Sequence, residues 1–315
     1  MDADVQDDPV TTVAPSLPEG LCDRVAALRG RTVAVSELRG GLTNRNYKVT
    51  ADGRSYVVRI SGPGSGALAI DRNNEYRNSV VAAASGVGAP VVDYLPADSA
   101  LVIGFLEGRT LTDADFNRPG VLDRVAVACR RLHGGGRFVN DFDMFEVQAG
   151  YLRIVRESGY RLPDDYLDHA DDVERIRGAL AVRSEPTVAC NNDLLAGNFI
   201  DEGHDIRLID YEYSGNNDPC FELGNIWSEC HLDDDQLEHL VTRYYGERLV
   251  NKIARARLQG LMSQYGWTLW ASIQDATSDL EFAFWSWGLE KYERAVATLR
   301  GPDLDRLIED VQRDD

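Results

Sequence analysis

Lysine is scarce in this sequence. Of 33 basic side chains, only Lys48, Lys252 and Lys291 are lysines. A cation that grips an anion in the first half of the chain is therefore Lys48 or an arginine. Basic residues are also few against the 52 acidic ones, leaving a formal charge of −19. That deficit argues against a general nucleic-acid binder, which needs clustered Lys and Arg for backbone phosphates. It argues equally against binding an anionic membrane surface. No apolar run reaches the roughly 18 residues of a membrane span, and the acidic start lacks the basic-then-apolar pattern of a secretory signal. Cysteines stand at 22, 129, 190, 220 and 230 with no CxxC pair. A disulfide framework or structural zinc site is not expected, and a cytoplasmic setting fits.

What is present is enough chain, 315 residues, for one large domain or two lobes. Residues 1–29 read as a flexible acidic leader and the start of the first lobe. Residues 30–107 read as a small antiparallel sheet with one helix. Strands are expected near Thr32–Leu38, Asn46–Thr50, Ser55–Ile60, Val91–Leu95 and Ala100–Phe105. Ala51-Asp52-Gly53 marks a hairpin turn, and a helix is expected from Asp71 to Ala84. Residues 108–315 read as mainly helical, with helices near Pro119–Leu132, 141–158, 165–182 and from Pro219 onward. A short β-rich island falls at Thr187–Cys190, Asn198–Ile200 and Ile206–Ile209. The expected class is α+β and bilobal.

The chemistry concentrates between Cys190 and Glu229. Asp193-Leu194-Leu195-Ala196-Gly197-Asn198 lies on a turn between short strands, and Asp210 follows the apolar Leu208-Ile209. Phosphoryl transfer needs a carboxylate to take a hydroxyl proton, and a carboxylate with an amide oxygen to hold Mg²⁺. Asp193 fits the base, and Asn198 and Asp210 fit the metal ligands, in the kinase order. Taken alone, D-x-x-x-x-N is ordinary turn chemistry. Its pairing with a second Asp and an upstream β-rich lobe is what makes it specific. In that lobe Gly40, Gly41, Thr43 and Asn44 form a loop that can approach phosphates. Arg59, on a buried-looking strand, is the candidate phosphate cation, with Glu75 as its helix partner. The alternative for Arg59 is an edge-strand surface charge. Glu212 either supports the metal shell or braces the loop.

These residues resemble the choline/ethanolamine kinase family, in the aminoglycoside-phosphotransferase-like branch of the protein-kinase-like fold, over roughly residues 30 to 300. The branch motifs are Asn192-Asp193 with Asn198, and Ile209-Asp210-Tyr211-Glu212-Tyr213-Ser214. The segments Phe221-Glu222-Leu223-Gly224-Asn225 with Glu229, and Trp267-Thr268-Leu269-Trp270 with Ser272-Ile273-Gln274, are similar to that family's own. The resemblance implies ATP and Mg²⁺ as cofactors and choline or a related amino alcohol as acceptor. Ethanolamine, an aminoglycoside and another small alcohol remain alternatives. It also aligns Trp287 with a further aromatic position. A quaternary ammonium is held on aromatic faces beside a carboxylate, so Trp267, Trp270, Trp287 and Glu229 are the expected cage, against a reading of the tryptophans as core. One departure stands out. The branch carries His, as a loop brace, where this chain has Asn191. Asn can still donate and accept hydrogen bonds, though its presence keeps a nucleotide-binding pseudokinase open. His133 is read as structural, Cys190 and Cys220 as packing residues without a base partner, and Trp227 and Trp285 as core.

Overall fold

The computed structural model describes residues 17–38, 44–62, 68 and 70–314. They divide into two compact units. Of the described residues, those up to 61 and those at 92–105 form the smaller, and those at 62–91 and from 106 on form the larger.

The smaller unit begins with a short helix α1 (Leu21–Arg24), followed by β1 (Val33–Leu38), β2 (Asn44–Ala51) and β3 (Arg54–Ser61). After an excursion into the larger unit come β4 (Val91–Leu95) and β5 (Ala100–Gly104). The sheet order is β1-β2-β3-β5-β4. Ala51 pairs with Arg54 across a two-residue turn. Both turn residues have positive φ, 49° at Asp52 and 75° at Gly53, which is why an Asp-Gly pair closes this hairpin. Tyr47, Val49 and Ala51 alternate inward from β2 onto Tyr56 and Val58 of β3, with Leu21, Val25 and Leu28 packed beneath. Arg59 lies opposite Leu101 of β5 on one side and Asn46 of β2 on the other, so its strand is internal to the sheet and not an edge.

The larger unit takes α2 (Arg72–Ala84), capped by the Asp71 carboxylate on the amides of Asn73 and Asn74. Asn78 of this helix donates to the Ser214 hydroxyl at 3.0 Å and to Asn140 at 2.9 Å, which ties α2 to this unit. Then follow β6 (Arg109–Thr110), α3 (Val121–His133), α4 (Met144–Ser158), α5 (Ala170–Val182) and β7 (Val188–Cys190). The chain continues through β8 (Phe199–Asp201), β9 (Ile206–Leu208) and β10 (Gly215–Asn217). It closes with α6 (Pro219–Glu229), α7 (Asp234–Tyr245), α8 (Val250–Thr277), α9 (Phe284–Leu299) and α10 (Asp303–Asp310). Two small antiparallel sheets, β6-β8-β9 and β7-β10, carry the loops of the central motif. The 165–182 stretch is not one helix, because Tyr166–His169 winds as a 3-10 turn before α5. β10 was not expected from Gly-Asn-Asn. Pairing with β7 and four hydrogen bonds of the Asn216 side chain, three given by Nδ2 and one accepted by Oδ1, hold it.

The helices that carry the C-terminal motifs meet at very small residues. A Cβ on Gly224 of α6 would lie 2.1 Å from the Ala256 carbonyl oxygen of α8, and one on Gly288 of α9 would lie 2.4 Å from the Ala271 Cβ. The backbones of α6, α8 and α9 can close to this range only without those atoms. The long helix α8 is buried along most of its middle, which accounts for its lack of a polar face. Among the described residues no helix is long and apolar enough to cross a membrane.

Candidate active site

The Asp193 loop follows β7 directly, and its backbone is held by α6. Both carboxylate oxygens of Glu222 accept loop amides, from Asn191 at 2.9 Å and Asn192 at 2.7 Å. Asn225, one turn along the same helix, accepts from the Leu194 amide at 2.8 Å and donates to Ser263 of α8. The Phe221–Asn225 motif therefore has a physical purpose that the sequence alone did not give: it is the clamp of the loop. Asn192 stands at φ 68° and Asp210 at φ 65°, a left-handed backbone that non-glycine residues adopt at a cost. Asn192 is held there by its side-chain contacts to Tyr213 O and to Asn217 Nδ2.

Asn191 joins the two acidic loops. Its Nδ2 donates to the carbonyls of Ile209 at 3.1 Å and Asp210 at 2.8 Å, while its Oδ1 accepts the Asp193 amide at 3.1 Å. Asn198 makes a second link. Its Nδ2 donates to the Asp193 carbonyl at 2.8 Å, and its own carbonyl accepts the Ile209 amide at 3.0 Å. With that nitrogen committed, the Oδ1 of Asn198 is the atom left to bind. An amide oxygen and the Asp210 carboxylate are hard donors of the kind Mg²⁺ takes, so the residues present fit that ion.

Burial pushes the Asp193 carboxyl well above the ordinary aspartate range, and the negative charges of Glu229, Asp210 and Glu212 add to the rise. Lys291 opposes it. The carboxylate is thereby made a better proton acceptor than an exposed one.

Beside it lies an ion-pair cluster in which Arg72 bridges two buried acids, Glu75 at 2.7 Å and Glu212 at 2.9 Å. Burial alone would lower the Arg72 pKa, but these two carboxylates outweigh it and hold the guanidinium charged. Its Nε and Nη2 are buried without a partner among the described residues. Sequence reasoning passed over Arg72. Its only signal is the spacing of three to Glu75 just after a helix cap.

The tryptophans come together. The Trp267 ring stands 5.0 Å from Tyr213, edge to face, and Trp270 stands 5.5 Å from Trp287. The Trp270 indole donates to the Tyr213 hydroxyl at 2.7 Å. Tyr213, which follows Glu212, thus joins the aromatic group to the Asp210 loop. Tyr213 and Glu212 also line a cavity of about 520 Å³ that extends along α4 past Tyr151 and Glu146. Glu229 ends α6 and is buried, but it does not stand alone. The Nζ of Lys291 is 2.6 Å from its Oε2 and 4.1 Å from the centroid of Trp287.

Other expectations divide. Gly40, Gly41 and Thr43 lie outside the described residues, whereas Asn44 starts β2 and Arg59 sits in β3, both in the smaller unit. Cys190 does have a basic neighbour, since the His133 Nε2 is 3.6 Å from its sulfur. Burial pushes the Cys190 thiol well up, however, so packing remains its role. Asp233 caps α7 in a reciprocal pair with Gln236. Trp227 is buried, but Trp285 is not core: it is half-buried and carries the Arg161 guanidinium on its face at 4.1 Å.

The sequence profile of the choline/ethanolamine kinase family matches residues 35–242. Protein LicA of Haemophilus influenzae is 28% identical over 252 residues, covering 75% of this chain and 72% of that protein. Ethanolamine kinase 2 of Rattus norvegicus is 26% identical over 294 residues, covering 83% and 75%. Among solved structures, a choline/ethanolamine kinase family protein from Mesorhizobium loti is similar with a TM-score of 0.82 at 32% identity, over 92% of this chain and 96% of that one.

Proposed function

The chain belongs to the choline/ethanolamine kinase family, and is thus a phosphotransferase with an alcohol acceptor; on that footing we propose that it moves the γ-phosphoryl group of ATP to the hydroxyl of a small amino alcohol, with choline as the first candidate. The observation that carries this reading is the geometry of the Asp193 loop: Asn191 links it to the Asp210 loop, and Asn198 bonds it directly.

In this reading Asp193 accepts the hydroxyl proton and aligns the oxygen for attack. Asn198 and Asp210 hold Mg²⁺, with Glu212 in support. The ion, when bound, neutralises charge on the phosphates. Arg59 and the loop of Gly40, Gly41, Thr43 and Asn44 are assigned to the nucleotide phosphates on the family resemblance. Glu75 is assigned to ordering a cation, and Arg72 is the one its own helix supplies. Trp267, Trp270 and Trp287 offer aromatic faces to the acceptor, with Glu229 at the side. The five free cysteines suit a reducing compartment such as the cytoplasm.

The test is coupled ATP consumption with Mg²⁺ and choline, ethanolamine and an aminoglycoside side by side. Turnover with a small amino alcohol supports the reading. Nucleotide binding without ATP consumption across the set would point instead to a pseudokinase. Selective turnover of the aminoglycoside would overturn the acceptor class.

A further inference from the structure

Arg72 is the first residue of α2, and the Asp71 cap fixes the turn that presents it. One nitrogen of its guanidinium, Nη1, donates to two buried acids, Glu75 at 2.7 Å and Glu212 at 2.9 Å. Glu212 stands two residues after Asp210 and two before Ser214. The Ser214 hydroxyl in turn takes a bond from Asn78 of the same helix. Helix α2 therefore grips the loop that follows Asp210 at two points, and one of them is an ion pair.

The carboxylate in that pair is the one whose role the sequence left open, between metal shell and loop brace. The affinity of an oxygen site for a divalent cation rises with the number of carboxylates it offers, and Mg²⁺ is held by one or two of them, with water and substrate phosphate completing its shell. A released Glu212 would add a carboxylate beside Asp210. In the structure its Oε2 is engaged by a cation instead. The pair is largely withdrawn from water, so salt screens it weakly. Because both bonds leave from Nη1, the arrangement asks for positive charge at one point and not for the planar fork of a guanidinium.

We propose that Arg72 is a positioning residue for the metal: it keeps the Glu212 carboxylate in an ion pair and out of the ligand set, and so limits the affinity of the site for a divalent cation. The inference rests on the assignment of Asn198 and Asp210 to Mg²⁺. It deepens that assignment by giving Glu212 the part of a brace and Arg72 the control of it.

The experiment titrates the nucleotide-free protein with Mn²⁺, a paramagnetic probe for the Mg²⁺ site, and reads the free ion by electron paramagnetic resonance. High salt suppresses binding to the acidic surface. The wild type is compared with Arg72→Met, Arg72→Gln, Arg72→Lys and the double variant Arg72→Met with Glu212→Gln, each first checked for a cooperative thermal transition. Arg72→Met and Arg72→Gln should bind Mn²⁺ about tenfold more tightly, because a positive charge near the ion is gone and a carboxylate is released. The glutamine variant keeps donors for both acids, so the test stands even where the methionine variant does not fold. Arg72→Lys keeps the charge and should follow the wild type. The double variant loses the released carboxylate and should return to within about threefold of the wild type.

A merely structural role for Arg72 would loosen the loop and weaken Mn²⁺ binding. Weaker or unchanged binding by Arg72→Gln overturns the inference, as does a lysine variant that binds like the glutamine one. A double variant that stays as tight as Arg72→Met overturns it too, since Glu212 is then not the carboxylate released. Asp210→Asn separates this from the metal assignment. If it weakens Mn²⁺ binding while Arg72→Met and Arg72→Gln do not tighten it, the metal assignment stands and the role of Arg72 fails. If it leaves Mn²⁺ binding unchanged, the metal assignment fails and the inference falls with it.

Discussion

The side-chain amide of Asn191 donates to the carbonyl of Asp210 across 2.8 Å, while its oxygen accepts the amide of Asp193. One buried residue therefore spans the proposed base loop and the proposed metal loop. Asn191→Ala removes all of these bonds and leaves buried backbone groups unsatisfied, at about 1–3 kcal/mol each. The expected outcome is a lower thermal midpoint and a fall in kcat larger than any change in nucleotide affinity. Asn191→His, which retains a donor and an acceptor, should keep more activity than the alanine variant. Equal losses in the two would remove the bridging role.

Glu229 and Lys291 form a buried pair whose partners are each costly to leave alone. Glu229→Gln or Lys291→Met singly should destabilise the protein by about 3–5 kcal/mol, and the double variant by much less than the sum. Denaturant unfolding of the four proteins gives the coupling. Additive effects would mean that the pair does not act as a unit in solution.

The pH dependence has a defined sign. The proposed base, Asp193, can take a proton only when ionised, and its carboxyl is held above the ordinary aspartate value of 3.8 by burial and by the charges of Glu229, Asp210 and Glu212. Activity is therefore present above that raised pKa and is lost as pH falls through it. Lys291 pulls the value down, so Lys291→Met should move the acid limb of kcat/KM to higher pH. Glu229→Gln removes a charge that pushes it up and should move the limb the other way. Profiles that coincide for all three proteins would separate the limb from Asp193.

The close crossing of α6 and α8 makes Gly224 intolerant of a side chain. A Cβ there would meet the Ala256 carbonyl at 2.1 Å, and the rigid neighbour is backbone. Gly224→Ala should cost at least the 1–3 kcal/mol typical of overpacking, about, and should loosen the clamp that Glu222 and Asn225 apply to the Asp193 loop. Urea unfolding and kcat measured on the same sample check both effects.

The five strands of the smaller unit, the Asp52-Gly53 turn and several helix starts were legible because they depend on local signals: alternation, caps and turn residues. Asp71 and Asp233 are the caps that start α2 and α7. Asp193, Asn198 and Asp210 stand close in sequence, on one loop and on the loop that follows the β8–β9 hairpin. What was hidden depends on partners distant in sequence. Glu222 reads as a motif letter until two amides of the Asp193 loop fall on its oxygens. Lys291 is in sequence only one of three lysines, and its place appears when α9 packs on α8 and brings it to Glu229, 62 residues away. β10 has no β-forming residues and exists because Asn216 is held from several sides.

The most direct measurement of the central claim is Mg-ATP turnover by the wild type and Asp193→Asn with choline and ethanolamine, alongside nucleotide binding by calorimetry. Asparagine keeps the shape and removes the base. The account predicts loss of acceptor-dependent turnover by about 10²-fold or more, with nucleotide affinity nearly unchanged. Turnover by Asp193→Asn at the wild-type rate would contradict it.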